Sequence, residues 1–149
     1  MSLKKKSWLI CLLLLGTVIA AAAQKLTAKQ RFAGTWHAKF RGNTFATLKL
    51  SVKDDQLTGS MTGANINLDK DGNLTSAEDT DEESQISDVK LSGDALLFTT
   101  KNADSGEVIN WRMSLTNQHQ GELLLLVPEP HPDIPTPRPW KIIRAFGKP

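Results

Sequence analysis

Residues 34–41 read Gly34-Thr35-Trp36-His37-Ala38-Lys39-Phe40-Arg41. Trp36, Ala38 and Phe40 alternate with His37, Lys39 and Arg41, which is the period of two of a half-buried strand. Arg41-Gly42-Asn43 turns the chain, and Ala46, Leu48, Leu50 and Val52 then share one face, with Thr47, Lys49, Ser51 and Lys53 on the other. Asp54-Asp55 ends that run. Leu57, Gly59, Met61 and Gly63 return in phase, their glycines permitting the tight bending that a small barrel requires.

The same alternation resumes further along. Ile86 to Leu91 and Ala95 to Thr100 flank Ser92-Gly93-Asp94, a hairpin turn. Val108 to Leu115 places Ile109, Trp111, Met113 and Leu115 on one face. Glu122 to Val127 holds four consecutive Leu, which calls for cover on both faces. Pro128 to Pro139 can be neither helix nor central strand, and Trp140 to Phe146 forms the last strand. Ahead of all these, Leu26 to Phe32 reads as a short helical turn with Thr27 as its cap. No helical pattern is long enough for a parallel crossover. The expected fold is therefore all-β: an eight-stranded antiparallel up-and-down barrel with a short N-terminal helical turn, closed so that no edge is exposed. Residues 64–85 are expected as an acidic loop and 128–139 as a Pro-rich loop.

With 149 residues, 40% hydrophobic and 23% charged, the chain suits one domain with one core. Its beginning reads as a signal peptide over residues 1–23. Lys4, Lys5 and Lys6 precede an apolar stretch from Trp8 to Ala23 that ends in the small-residue run Ala20 to Ala23. That stretch is short of the roughly 20 residues of a membrane span. Gln24 is the expected first mature residue, the single domain then covers 24–149, and the product is expected in the periplasm or outside the cell. Without the three leader lysines, fifteen basic residues face sixteen acidic ones, a net charge of −1. No Lys/Arg cluster remains to bind nucleic acid. The lone Cys11 falls in the leader and excludes a disulfide scaffold.

Gly34-Thr35-Trp36 on the first strand, after a helical turn and with Arg144 on the last strand, resembles the signature of the calycins, the lipocalins and avidin-like proteins. It resembles equally the uncharacterised secreted bacterial proteins with a lipocalin-like barrel. The resemblance implies that Trp36 closes one end of the barrel while Arg144 packs across its ring, a cation over an aromatic face. The second lipocalin motif usually carries a Tyr and this chain has none, nor does it hold the polar set with which avidins bind biotin. What the resemblance implies is a fold rather than a ligand.

Function must then be read from the interior and the loops. An eight-stranded barrel either fills its centre with side chains or holds one small ligand. Leu48, Leu50, Phe98, Trp111, Met113 and Ile142 are the inward candidates, and a pocket among them would take an apolar or amphiphilic molecule. The alternative is that these six simply form the core.

In the acidic stretch, Asn67, Asp69, Asp71, Asn73, Thr75 and Glu78, with Gly72 at the sixth position, match the spacing of an EF-hand calcium loop. The competing reading is a hairpin of Asn65 to Leu68 with Asn73 to Ser76 through the turn Asp69-Lys70-Asp71-Gly72. His37, His119 and His131 are scattered, and no Gly-flanked Ser elbow, phosphate-binding Gly loop or mature Cys nucleophile exists, so no enzyme is expected. Two functions follow. The first is an exported barrel binding a small apolar molecule; calcium, a candidate ion for the acidic loop, would serve the second by stabilising its loops. The second is a barrel that engages a protein partner, as an inhibitor or envelope accessory protein would, through loops such as Pro128 to Pro139.

Overall fold

The computed structural model describes residues 26–129 and 132–146. The leader reading at 1–23, the Gln24 start, Cys11 and His131 lie outside the described residues.

Nine antiparallel strands form one sheet. They are β1 (Gly34–Phe40), β2 (Asn43–Lys53), β3 (Gln56–Leu68), β4 (Leu74–Gln85), β5 (Ser87–Ser92), β6 (Ala95–Lys101), β7 (Val108–Leu115), β8 (Gln120–Leu126) and β9 (Trp140–Arg144). Across the sheet they run β4-β3-β2-β1-β9-β8-β7-β6-β5. Tight turns set this order. Arg41 and Gly42 adopt left-handed backbone between β1 and β2, as Asp54 and Asp55 do between β2 and β3. Paired left-handed residues twist a two-residue hairpin with the same hand as its strands. Gly93, left-handed at a φ of +59°, and Asp94 link β5 to β6.

Two expectations are corrected. The strands number nine rather than eight, because the acidic stretch 64–85 is no loop: β3 continues to Leu68 and β4 returns along it, with Asn67 opposite Ser76 and Asn65 opposite Glu78. Ala64, Ile66, Leu74 and Ala77 pack half-buried against the core. Outside, Lys49 Nζ lies 3.0 Å from Glu83 Oε1, and the Ser60 hydroxyl donates to the same oxygen. The Ser60 hydrogen bond and the Lys49 ammonium hold the Glu83 carboxyl below its usual pKa, so the charge run is pinned as a strand.

The sheet is also not closed into a barrel. Its edges, β4 and β5, are consecutive in the chain with only Ile86 between them. They meet end to end rather than side by side, so no ladder joins them. Ile86 N donates to Gly59 O of β3 at 3.0 Å, and Ser84 Oγ donates to Lys101 O of β6 at 3.0 Å. The chain thus passes directly from the β3 side to the β6 side, and the sheet curls to allow it.

No helix occurs among the described residues. Residues 28–32 form hydrogen-bonded turns in which Gln30 N donates to Thr27 Oγ1 and Thr27 N to Gln30 Oε1, the reciprocal bonds of a capping box. β9 stops at Arg144, two residues short of the expected end.

Inside the curl, Trp36, Phe45, Leu96, Met113 and Leu123 are each at most 1% exposed. The four consecutive Leu of β8 are covered on both sides. Leu123 is in the core, while Leu124 and Leu126 lie beside Thr136 to Pro139 of the Pro-rich connection. That connection is fastened to the β3–β4 turn, since Arg138 N donates to Gly72 O and Arg138 Nε to Asp71 O, both at 3.0 Å.

Gly72 carries this junction. Its φ is +80°, and a Cβ placed on it would sit 1.9 Å from Thr136 O. Gly93 has a φ of +59° with nothing within 4 Å of such a Cβ. Gly72→Ala is therefore expected to cost about 3 kcal/mol, combining backbone strain with displacement of the strap. Gly93→Ala should cost about 1 kcal/mol from strain alone. Urea unfolding of the two variants checks this, and equal losses would refute the junction at Gly72.

Candidate functional site

The six inward candidates all lie in the core. Leu48, Leu50, Phe98, Met113 and Ile142 are at most 5% exposed and Trp111 is 7% exposed. They are packed with each other and with the residues around them, as the alternative reading anticipated. Of the six, Leu50 borders a surface cleft beside Gly34 and Gly59, and Trp111 borders a separate open space. That space is a cavity of about 460 Å³, within the range of small-molecule sites.

Three parts of the fold build its wall. The first is a bulge in β4. Thr62 pairs with Glu83 and Ala64 with Asp79, so Gly63 stands opposite residues 80–82. Asp81 takes a left-handed conformation at the bulge, its N–H bonded to Asp79 Oδ1. A bulge of this kind bends its strand and redirects side chains. Gly63 leaves room for it, since a Cβ there would lie 2.6 Å from Thr80 Oγ1. Thr80 and Glu82 line the cavity as a result.

The β6–β7 loop is the second part, contributing Asn102 and Asp104. Asn102 Oδ1 accepts from the backbone N–H groups of Asp104 and Ser105, which fixes the loop.

The third part is a pair of indoles. Trp111 and Trp140 meet edge to face with ring centres 5.6 Å apart, and they continue a run of rings from Phe45 to Phe98. The pair borders the core on one side and the cavity on the other. Trp111 Nε1 donates to Thr100 Oγ1 at 2.9 Å. Trp140 Nε1 is buried without a hydrogen-bond partner, and so is Thr80 Oγ1. A buried polar atom left unpaired costs about 1–3 kcal/mol. Ile66, Ile109 and Leu125 complete an apolar lining. Among the lining residues the charged groups are two carboxylates, Glu82 and Asp104, with no Lys or Arg.

Sequence reasoning reached Trp111 and missed the rest of this wall. Thr80 and Glu82 fell in the stretch read as loop. Trp140 was placed on the last strand, but nothing in its neighbours marked it as facing a cavity.

The six calcium-loop residues do not converge. Asp69 caps the hairpin turn, accepting from the backbone N–H of Asp71 and Asn73 and from Asn73 Nδ2. The Asn73 side-chain bond, followed by its backbone bond, holds the Asp69 carboxyl below its usual pKa. Asn67 Nδ2 donates to Ser76 Oγ, and Thr75 Oγ1 donates to Asn67 O. Glu78 stands opposite Asn65, several residues along the ladder from the turn. These oxygens serve a hairpin. Among the described residues no group of three or more His, Cys, Asp and Glu side chains could hold a metal ion.

At the opposite, β1 side of the core, the Arg144 guanidinium carbon lies 4.5 Å from the centre of the Trp36 ring. The two residues are ladder partners between β9 and β1. Trp36 Nε1 donates to Phe32 O at 2.8 Å and Arg144 Nη2 donates to Arg31 O, so both tie the sheet to the N-terminal turn. Burial pushes the Arg144 pKa down from its usual value.

The remaining histidines lie elsewhere. His37 Nδ1 is 3.1 Å from Thr47 Oγ1, and His119 packs against Phe146. No helix among the described residues is long and apolar enough to cross a membrane. In comparisons with family models, curated proteins and solved structures, nothing matches the chain.

Proposed function

We propose that this protein is an exported, non-catalytic binding protein of calycin type that holds a small apolar or amphiphilic molecule in the cavity beside Trp111 and Trp140. The observation that carries the reading is the cavity itself: about 460 Å³, walled by two indoles and three branched aliphatic side chains, with two buried polar atoms unpaired. An apolar lining with a few orienting polar groups is the usual chemistry of a small-molecule site. Trp36 beneath Arg144 supports the calycin likeness, and the Thr27–Gln30 capping box supports its short helical turn. Lys4 to Lys6 and the run Ala20 to Ala23 support export.

N-phenyl-1-naphthylamine, a neutral apolar fluorophore, is expected to bind saturably at one site per chain with enhanced emission. Ala64→Phe, which places a ring in the cavity, should weaken that binding about tenfold or more. A thermal melt near that of the unaltered protein would show that the fold survives. Failure of the probe to bind, or binding indifferent to Ala64→Phe in a folded variant, would overturn the cavity reading. N-terminal sequencing of the protein exported by its producing cell is expected to begin at Gln24, and an intact Met1 start would refute the leader.

A further inference from the structure

The charge of the cavity wall narrows the ligand class. Glu82 comes from the β4 bulge and Asp104 from the β6–β7 loop, two segments 22 positions apart that face one space. Neither carboxylate takes part in an ion pair among the described residues. The Thr80 hydroxyl on the same bulge is buried and unpartnered. Trp111 and Trp140 supply aromatic faces below, which attract cations as well as apolar groups. No basic side chain lines the space to receive an anionic head.

We infer that the site selects cationic amphiphiles, molecules with an apolar or aromatic body and an amine, and rejects fatty acids of the same size. This rests on the proposed cavity reading. The amine's N–H groups have two carboxylates within the lining to bond, those of Glu82 and Asp104. The body lies against the indoles, Ile66, Ile109 and Leu125. A carboxylate head would instead meet two like charges and find no compensating cation.

Dodecylamine, dodecanol and dodecanoate share one chain and differ in head charge. Displacement of N-phenyl-1-naphthylamine by each at neutral pH, below its aggregation concentration, tests the inference. Dodecylamine should bind about tenfold tighter than dodecanol, the advantage of two partly exposed carboxylates, with dodecanoate weakest. The double variant Glu82→Gln with Asp104→Asn should bring the amine to the alcohol's affinity for the same variant. Both positions are exposed, so the variant keeps its core. Dodecanoate binding as tightly as the amine, or an amine preference untouched by the double variant, would overturn the charge selection while leaving the cavity reading intact. Failure of all three to displace the fluorophore would overturn the inference, and failure of the fluorophore itself to bind would overturn both.

Discussion

A single residue, Ile86, stands between the two edges of the sheet. The arrangement of the molecule follows from that constraint. A flat nine-stranded sheet would hold its first and last strands eight spacings of about 4.8 Å apart, a gap that one residue cannot bridge. The sheet therefore curls until Gln85 and Ser87 are neighbours, and the inner faces of its strands enclose one core. The bonds from Ile86 to Gly59 and from Ser84 to Lys101 hold the seam on both sides. The bulge at residues 80–82 lies just before the seam and the β6–β7 loop just across it, which is why Glu82 and Asp104 come to share one cavity.

Within the curl, the aromatic side chains divide the interior. Trp36 lies deep at the β1–β9 side, bonded to Phe32 and stacked under Arg144. Trp111 and Trp140, the latter at the far end of β9 from Arg144, mark the limit of close packing. Beyond them the wall is made by a bulge and a loop, whose side chains are spaced too widely to fill the volume. Phe98 stacks against Trp111 and Phe45 meets Trp140 edge to face, so the indoles are held from the core side. A ligand reaching them would find a preset surface and little side-chain freedom to lose.

Much of the sheet was legible because its strands obey the period of two. Trp36, Leu48, Phe98, Met113 and Ile142 are buried where alternation placed them. Of β4 only the start was legible, in the hairpin reading that set Asn73 to Ser76 against Asn65 to Leu68; the run from Ala77 to Gln85 was not. Its acidic run has poor strand propensity, and what makes it a strand is nonlocal: Lys49 and Ser60 on strands distant in sequence, and apolar Ile66 and Ala77 set opposite each other. Closure into a barrel was expected from the count and economy of strands, yet it depends on where the two edges meet, and alternation carries no information about that. The cavity was hidden for the same reason. Three of its determinants, Thr80, Glu82 and the bulge opposite Gly63, belong to the part of β4 that local pattern missed, while the six bulky inward residues that drew attention are those that fill the core.

The placement of the ligand against Trp140 is open to direct measurement. The indole N–H signals of Trp36, Trp111 and Trp140 can be followed by ¹⁵N–¹H correlation spectra, assigned by Trp→Phe variants, as N-phenyl-1-naphthylamine is added. The Trp140 and Trp111 signals are expected to move, since both indoles line the cavity, with Trp36 unmoved. Saturation of the probe with Trp140 unchanged, or with Trp36 shifting in its place, would contradict a binding site at this cavity.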